Sequence, residues 1–212
     1  YFLYGNTLDA LGKKDEALLA WQKAIALNPQ ALDVYEQIGK AYWQKNDFAK
    51  AAVAFESLAQ KAPSRVTTLR AANALERAGK ANRAHYWKAV AAGFTGDFPH
   101  ALAEAKQIEN APDPAMRTLA LQATAEAYRG MRQRDNYLKT MLQLTAKNTL
   151  ADLMLMAQAY AELDRFDKRK ECLLQALQIA TPQDKAPIYY QLGVVAQTRG
   201  VQDEAEKALD SA

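Results

Sequence analysis

A period of 34 residues constrains the fold of this chain more than any other feature of its sequence. Small, aromatic and proline residues occur twice in the same order near the start of the chain. The four pairs of landmarks, each separated by 34 residues, are Gly5 and Gly39, Ala17 and Ala51, Trp21 and Phe55, and Pro29 and Pro63. A fixed period of about 20–50 residues is typical of repeat proteins, in which each unit buries its apolar side against its neighbours. We therefore expect an array of units rather than one globular core.

The repeated unit resembles the tetratricopeptide repeat (TPR). It begins with large residues followed by glycine, and continues with alanine, an aromatic residue and proline. The resemblance implies an all-α fold, a right-handed TPR superhelix (α-solenoid) of about six helix pairs with an irregular middle segment. It also implies that paired helices approach closely at Gly5 and Gly39. Such a contact would account for a residue that costs about 1 kcal/mol within a helix.

The spacing of apolar residues at i, i+3, i+4 and i+7 predicts thirteen helices. The expected positions are 1–11, 14–27, 32–44, 47–62, 66–78, 81–92, 100–109, a helix containing 121–128, 136–147, a helix containing 153–160, 166–180, a helix containing 189–196, and a final helix containing 205–209. Because the number is odd, either the helix 100–109 is unpaired or the middle repeats share helices differently. We favour a local irregularity between Gly79 and Pro114, and we expect residues 181–186 to form a lengthened link.

The resemblance is uneven along the chain. Residues 1–63 form two regular repeats, 64–113 a degenerate repeat plus an extra helix, and 114–212 three further TPR-like repeats of one continuous solenoid. Tyr137 and Arg169 stand where the family has a small alanine, so their helix pairs are expected to pack less closely. Tyr1 already occupies a landmark. The chain is therefore expected to be a segment of a longer protein. Its resemblance in style to TPR regions of bacterial proteins implies a bacterial TPR protein, and the sequence does not decide between periplasm and cytoplasm.

The sequence offers no constellation that supports catalysis. Cys172 is the only cysteine, so it cannot form an intrachain disulfide, and it is expected to pack as a small apolar residue. His85 and His100 are predicted on different helices, without an acidic or cysteine partner at metal-binding spacing. Phosphate-loop and nucleophile-elbow motifs are absent. We expect no catalytic residue, metal or cofactor, and no apolar stretch of the sequence reaches the length of a membrane span.

Aromatic residues divide between the landmarks and a second helix face. Those on landmarks are expected in the core, namely Tyr1, Trp21, Tyr35, Tyr42, Phe55, Tyr128, Tyr160 and Tyr189. Trp43 follows Tyr42 by one residue and so points about 100° away from it. In the TPR family this neighbouring face of the first helix lines the concave groove. The resemblance assigns to it the candidate partner-binding residues Asn6, Asp9, Glu36, Lys40, Trp43, Asn73, Arg77, Glu126, Arg129, Gln158 and Tyr190.

A local excess of positive charge marks the third repeat. Between Lys61 and Val90 lie seven basic residues and one glutamate, although the whole chain has a net charge of only +3. The candidate basic patch consists of Arg65, Arg70, Arg77, Lys80, Arg83 and Lys88. Such a field attracts acidic partners, including an anionic polymer. Alternatively, it is a solvated face whose counter-charges come from elsewhere. Nucleic acid is disfavoured, because no interleaved aromatic and basic pattern accompanies the charge.

Together these patterns favour a non-catalytic protein–protein interaction scaffold. The partner would be a protein or peptide bound at the concave face, at the basic patch, or at both. One alternative is a periplasmic TPR arm of a larger secretion or exopolysaccharide-export machine, which recruits a modifying enzyme or guides the polymer. A second alternative is a self-assembly module that stacks through its terminal helices.

Overall fold

The computed structural model describes residues 1–211, apart from the side chains of Gln202 and Glu204. Ala212, which the sequence analysis assigned to the last repeat, lies outside the described residues. Within 1–211 the chain forms thirteen α-helices and no strand. The predicted all-α fold is therefore confirmed.

The helices fall into two compact units, the first spanning Tyr1–Met131 and the second beginning at Arg132. The first unit contains α1 Phe2–Ala10, α2 Lys14–Leu27, α3 Leu32–Gln44, α4 Phe48–Lys61, α5 Arg65–Arg77, α6 Ala81–Gly93, α7 Phe98–Lys106 and α8 Pro114–Gly130. The second contains α9 Arg134–Leu144, α10 Leu150–Glu162, α11 Phe166–Ile179, α12 Pro182–Thr198 and α13 Gln202–Asp210.

The observed helices follow the sequence pattern closely, with one error in the second unit. α2 and α3 begin and end at the predicted residues. Residues 181–186, however, are not a lengthened link, because α12 already begins at Pro182 and includes Pro187. Pro182 is the first residue of the helix, where its missing N–H would be unpaired in any case, whereas Pro187 lies inside the helix. Beyond it, Ile188 and Val195 are buried in the core, and this burial keeps the segment helical.

A recurring turn connects the two helices of each regular pair. One residue of the turn has a positive φ, as at Gly12 (76°) and, one period later, at Asn46 (57°). The next residue donates its backbone N–H to a carbonyl near the end of the first helix, as Asp47 does to Tyr42 at 3.0 Å. This Schellman arrangement satisfies carbonyls that the helix end leaves open. It also reverses the chain, so that consecutive helices form hairpins.

Each regular hairpin is closed by an aromatic ring that lies against a glycine backbone. A Cβ added at Gly5 would lie 2.5 Å from the Trp21 indole, and one added at Gly39 would overlap the Phe55 ring. Both rings are buried, Trp21 to 1% and Phe55 to 4% exposure. The glycines are therefore required by close helix approach, as the repeat pattern predicted.

The last three helices of the first unit pair in a different way from the regular repeats. α7 contacts both α6 and α8, and α8 also reaches α6. Here the ring comes from the earlier helix, since Phe98 of α7 lies where a side chain at Gly130 of α8 would be. The extra helix is therefore not unpaired, because α8 is its partner. The partner that the sequence suggested for α8, residues 136–147, belongs to the second unit.

The landmark tyrosines are less buried than predicted. Tyr1 is 60% exposed, which makes its assignment to the core wrong. The other landmark tyrosines are only half-buried, namely Tyr35, Tyr42, Tyr128, Tyr160 and Tyr189. Their hydroxyl groups explain this position, because a phenol is most stable where its ring packs and its oxygen meets a polar partner. The Tyr35 hydroxyl donates to the Pro29 carbonyl at 3.1 Å, and the Tyr42 hydroxyl accepts from Gln22 at 3.2 Å.

The second unit is built from the hairpins α10–α11 and α12–α13, with α9 packed on α10. Its core is aliphatic and centred on Leu153, Leu173 and Ile188. The looser packing expected at Arg169 is not found, because α10 and α11 lie in contact as the regular pairs do. Arg169 lines a surface pocket together with Ala161 of α10.

Replacement of Gly39 by alanine is expected to destabilise the first unit by about 1–3 kcal/mol, because the new methyl group overlaps the buried Phe55 ring. Urea-induced unfolding followed by circular dichroism measures the change. The matched control is Gly93→Ala at the end of α6, where a Cβ meets no atom within 4 Å. That variant is expected to be slightly stabilised, by up to about 1 kcal/mol. Equal stability of the two variants would contradict the close-approach explanation.

Candidate partner-binding surface

One side of α3 and α5 carries the residues that we name the α3–α5 face: Glu36, Lys40, Trp43, Arg70 and Arg77. On each helix the outermost members are seven residues apart, or about two turns, so they lie on one side. Arg70 stands one 34-residue period after Glu36, and Arg77 one period after Trp43. Equivalent positions of two neighbouring repeats therefore lie next to each other. All five side chains are exposed or half-buried.

Glu36 is the electrostatic centre of the α3–α5 face. Its Oε1 accepts from Lys40 Nζ at 2.7 Å and from Arg70 Nη1 at 2.8 Å. The hydrogen bond from Lys40, and then that from Arg70, holds the pKa of the Glu36 carboxyl below its ordinary value of 4.5. The sequence predicted Glu36 and Lys40 as partner-binding residues and Arg70 as part of a basic patch. The structure brings the three into one ion-pair network.

Trp43 stands at the other end of this face, in an aromatic–cation cluster. Its ring meets the Phe48 ring edge to face, with centroids 5.1 Å apart and planes at 73°. The Arg77 guanidinium lies over the same Phe48 ring, 4.6 Å from its centroid. Edge-to-face and cation–π contacts of this kind each contribute about 0.5–1.5 kcal/mol. Trp43 is thereby held in place while 36% of it remains exposed.

The other predicted groove residues of the first unit lie in different surroundings. The Asn6 side-chain oxygen accepts from the Trp21 indole N–H at 3.0 Å, so Asn6 has a structural role within its hairpin. Asp9 is half-buried, and Asn73 is exposed on α5. Glu126 and Arg129 form an exposed ion pair along α8.

The predicted groove residues of the second unit lie on two helices. Gln158 of α10 lines the pocket described below, and Tyr190 of α12 is 59% exposed. Tyr190 directly precedes Gln191, which also lines that pocket. The second unit therefore presents a candidate surface of its own, with both polar and aromatic side chains.

The basic residues of the third repeat do not form a single unpaired patch. Arg70 pairs with Glu36, Arg83 with Glu56 and Lys88 with Glu76. Arg77 lies over a ring, and within residues 1–211 only Arg65 and Lys80 of the six lack such a contact. The counter-charges that the sequence analysis placed elsewhere are thus supplied by glutamates of the same unit.

Glu56 is a buried charged residue that the sequence analysis missed. Its side chain is buried on α4, where Oε1 accepts from the Trp87 indole N–H at 2.9 Å and from Arg83 at 2.8 Å. A buried carboxylate is stable only when it is paired and hydrogen-bonded, as this one is. Since these partners lie about one repeat later in the chain, no local pattern around Glu56 could indicate them.

The two histidines share a carboxylate, contrary to the sequence analysis. His85 Nδ1 lies 2.6 Å from Glu104 Oε2, and His100 Nε2 lies 3.6 Å from Glu104 Oε1. The spacing of His100 and Glu104, four residues apart on α7, was the signal that could have indicated this. Nevertheless, the side chains described by the structure include no cluster of three metal-ligating groups suited to a metal ion.

A second recurring contact joins neighbouring repeats at their turns. Lys45 pairs with Asp15, and Arg199 pairs with Asp167. Each cation stands at the end of a first helix, and each carboxylate in the first turn of the preceding second helix. Acidic residues are favoured there by the helix dipole. Because the pairs are exposed, each contributes only about 0–1 kcal/mol, and they define repeat register more than stability.

The second unit has an open pocket of about 460 Å³ between α10, α11 and α12. It is lined by Ala151, Met154, Leu155, Gln158, Ala161, Arg169 and Gln191. Nε of Arg169 is buried without a hydrogen-bond partner, and burial lowers the pKa of this guanidinium. Cys172 is also half-buried on α11, and burial raises the pKa of its thiol, which disfavours the reactive thiolate.

Helix hairpins with buried glycine–aromatic contacts, repeated about every 34 residues, define an α-helical repeat protein. The particular repeat follows from comparison with family models. Residues 5–46 match a model described as TPR repeat, and residues 153–181 match one described as Tetratricopeptide repeat. These two segments of the chain are therefore assigned to tetratricopeptide repeats. No described helix combines the length and the apolar character that crossing a membrane requires.

Solved structures that resemble the chain are distant in sequence. A tetratricopeptide repeat protein from Parabacteroides merdae is 14% identical, with 98% of this chain and 76% of that chain covered and a TM-score of 0.47. The C-terminal part of a TPR repeat-containing protein from Cytophaga hutchinsonii is 16% identical, with 100% and 93% covered and a TM-score of 0.46. A comparison with curated proteins gives no match.

Loss of the Glu36 charge is expected to reduce stability only above acidic pH. Because the folded-state pKa lies below the ordinary value of 4.5, the ionised carboxylate stabilises the fold above that value and stops doing so as the pH falls through the folded pKa. Glu36→Gln should therefore cost up to about 1 kcal/mol at pH 7, since the pair is partly exposed. Urea unfolding at pH 7 and at about pH 3 tests this. A cost that is undiminished at acidic pH would contradict it.

Removal of the buried carboxylate of Glu56 is expected to lower the free energy of unfolding more than removal of the Glu36 charge does. Glu56→Ala leaves the Trp87 N–H without an acceptor and should destabilise the first unit by about 1–3 kcal/mol. Glu56→Gln keeps an acceptor and should cost less. Thermal unfolding compares both with Glu76→Gln, which breaks the exposed pair with Lys88. Equal loss of thermal stability in Glu56→Ala and Glu76→Gln would show that the buried network stabilises the fold no more than an exposed ion pair does.

Proposed function

We propose that this chain is a non-catalytic scaffold that binds a protein or peptide partner through the α3–α5 face. Tetratricopeptide repeats mediate protein–protein interaction, and this class of activity is the starting point for the chain. The observation that carries the proposal is Trp43, a large aromatic residue that remains exposed although its own neighbours hold it in place.

Pre-organisation is what makes this face suitable for binding. Trp and Arg dominate the energetics of protein interfaces, and here both lie against one Phe48 ring. Because Trp43 is already packed on one edge, little side-chain entropy is lost when a partner covers its other side. At the opposite end, the Glu36 network provides polar groups that can fix the orientation of a bound segment.

The proposed partner is a segment that offers an apolar side chain to Trp43 and polar groups to the Glu36 network. An anionic polymer is less well supported, since glutamates of the same unit already neutralise Arg70, Arg83 and Lys88.

The two alternatives from the sequence, an arm of a secretion or exopolysaccharide-export machine and a self-assembly module, stay predictions. An observation that favours self-assembly is the apolar surface near α1, where Leu3 of the helix and Leu11, just beyond its end, are largely exposed. Light scattering over a range of protein concentrations tests it.

Trp43→Ala is expected to reduce partner binding strongly, because it removes the exposed aromatic anchor. Affinity capture from cells, read by quantitative mass spectrometry, would identify proteins held by the parent chain and lost by the variant. Titration of the purified partner should then show weakening of at least about tenfold, as for an interface hot spot that contributes about 2 kcal/mol.

Val53→Ala provides the matched control. Val53 is an exposed apolar residue on α4, outside the α3–α5 face, and its truncation should leave partner recovery unchanged. Circular dichroism confirms that both variants retain their helicity. If a partner is captured equally by the parent chain and by Trp43→Ala, the α3–α5 face is not the binding site.

A further inference from the structure

The pocket of the second unit contains an arginine that the fold does not use. Arg169 occupies the place that alanine takes in the regular repeats, as Ala17 and Ala51 do, and those two alanines are fully buried between paired helices. Arg169 instead lines the pocket between α10, α11 and α12. A long charged side chain has thus replaced a small apolar one at a packing position.

The charge of Arg169 is not balanced within the described part of the chain. Its Nε is shielded from solvent and has no hydrogen-bond partner, and the described lining of the pocket contains no carboxylate. Nearby acidic side chains are engaged elsewhere, since Asp167 pairs with Arg199 and Glu171 with Lys168. An unsatisfied buried donor destabilises a fold, so packing alone gives no reason for this residue.

The remaining lining indicates what the pocket can accept. Met154 and Leu155 provide apolar surface, and Gln158 and Gln191 provide amide donors and acceptors on α10 and α12. An arginine recognises a carboxylate through its planar N–H groups, and with Nε buried the terminal nitrogens are the donors that a ligand can reach. A carboxylate flanked by apolar side chains therefore matches the pocket in charge and in polarity.

We propose that the pocket around Arg169 binds a glutamate or aspartate side chain from an amphipathic segment of a partner protein. The carboxylate pairs with the guanidinium, and the apolar residues beside it contact Met154 and Leu155. The glutamines bind the backbone amides of the same segment. This surface is separate from the α3–α5 face, and it stands even if Trp43 contacts no partner.

Three peptides of one length test the proposal on the full 212-residue chain. The first is acetyl-Leu-Glu-Ala-Leu-amide, the second has Gln in place of Glu, and the third is the Gln peptide with a free C-terminal carboxylate. The readout is the Nε–H resonance of Arg169 in a nitrogen–proton correlation spectrum, assigned by its loss in Arg169→Ala. The Glu peptide is expected to shift this resonance and to bind at least about tenfold more tightly than the Gln peptide.

In Arg169→Ala this resonance no longer exists, so peptide binding to the variant is measured by isothermal titration calorimetry, and the preference for Glu over Gln is expected to be abolished. Since alanine is the residue of the regular repeats at this position, the variant should unfold at the same temperature as the parent chain or higher. Arg165→Ala, which removes an exposed arginine of the same unit, is the matched control and should keep the preference.

Several outcomes would overturn the proposal. They are equal binding of the Glu and Gln peptides, a preference that survives Arg169→Ala, or a shift of the Arg169 resonance by the free C-terminal carboxylate alone. The last result would assign the pocket to a chain terminus rather than to a side chain. The absence of any shift up to the solubility limit of the peptides would also count against it.

Discussion

The contact between a glycine backbone and an aromatic ring is the constraint on which each regular hairpin depends. On α3, Gly39 lies between the buried stripe that contains Ile38 and the exposed stripe that contains Trp43. The Phe55 ring of α4 packs directly on the glycine, so the two helices approach without displacing either stripe. A side chain at this point would push α4 away and change the position of the exposed stripe as well. Close packing and the presentation of the candidate surface therefore have the same cause.

Sequence patterns predict those features of the fold that depend on residues within one helix or one hairpin. The bounds of α2 and α3 follow from the spacing of apolar residues, because helix periodicity acts within one hairpin. Close helix approach at Gly5 and Gly39 was implied by the resemblance to the TPR family, and the aromatic rings that make these contacts are a finding of the structure. The start of α12 was predicted wrongly, since residues 181–186 were expected to form a link, whereas α12 begins at Pro182 and buries Ile188 and Val195 in the core. The tyrosines were placed too deep because apolar pattern scales treat a phenol as a hydrophobic residue. The hydroxyl group of each tyrosine keeps the ring half-buried, at the edge of the core, where the oxygen can meet a polar partner.

The pairing of charged side chains was the surface property that the sequence predicted least well. A count of residues between Lys61 and Val90 gives a strongly basic window, yet three of its cations are paired with glutamates. Two of these partners, Glu36 and Glu56, stand about one repeat earlier in the chain, and the pairing exists only once the repeats are stacked. The candidate residues on α3 were identifiable from the resemblance to the TPR family, but their network was not. In a repeat protein, the counter-charge of a residue should thus be sought one period away before a free patch is inferred.

Departures from the repeat pattern in the second unit have two different physical outcomes. Tyr137 replaces a small residue, and its hydroxyl donates to Glu162 at 3.3 Å, so the fold satisfies the added polar group. Arg169 makes the equivalent replacement on α11, but its Nε remains without a hydrogen-bond partner. A natural sequence is expected to agree with its fold at every level except where function imposes a cost. Of these two substitutions, only the one that the structure leaves uncompensated calls for a ligand, and this difference separates a structural variation from a candidate site.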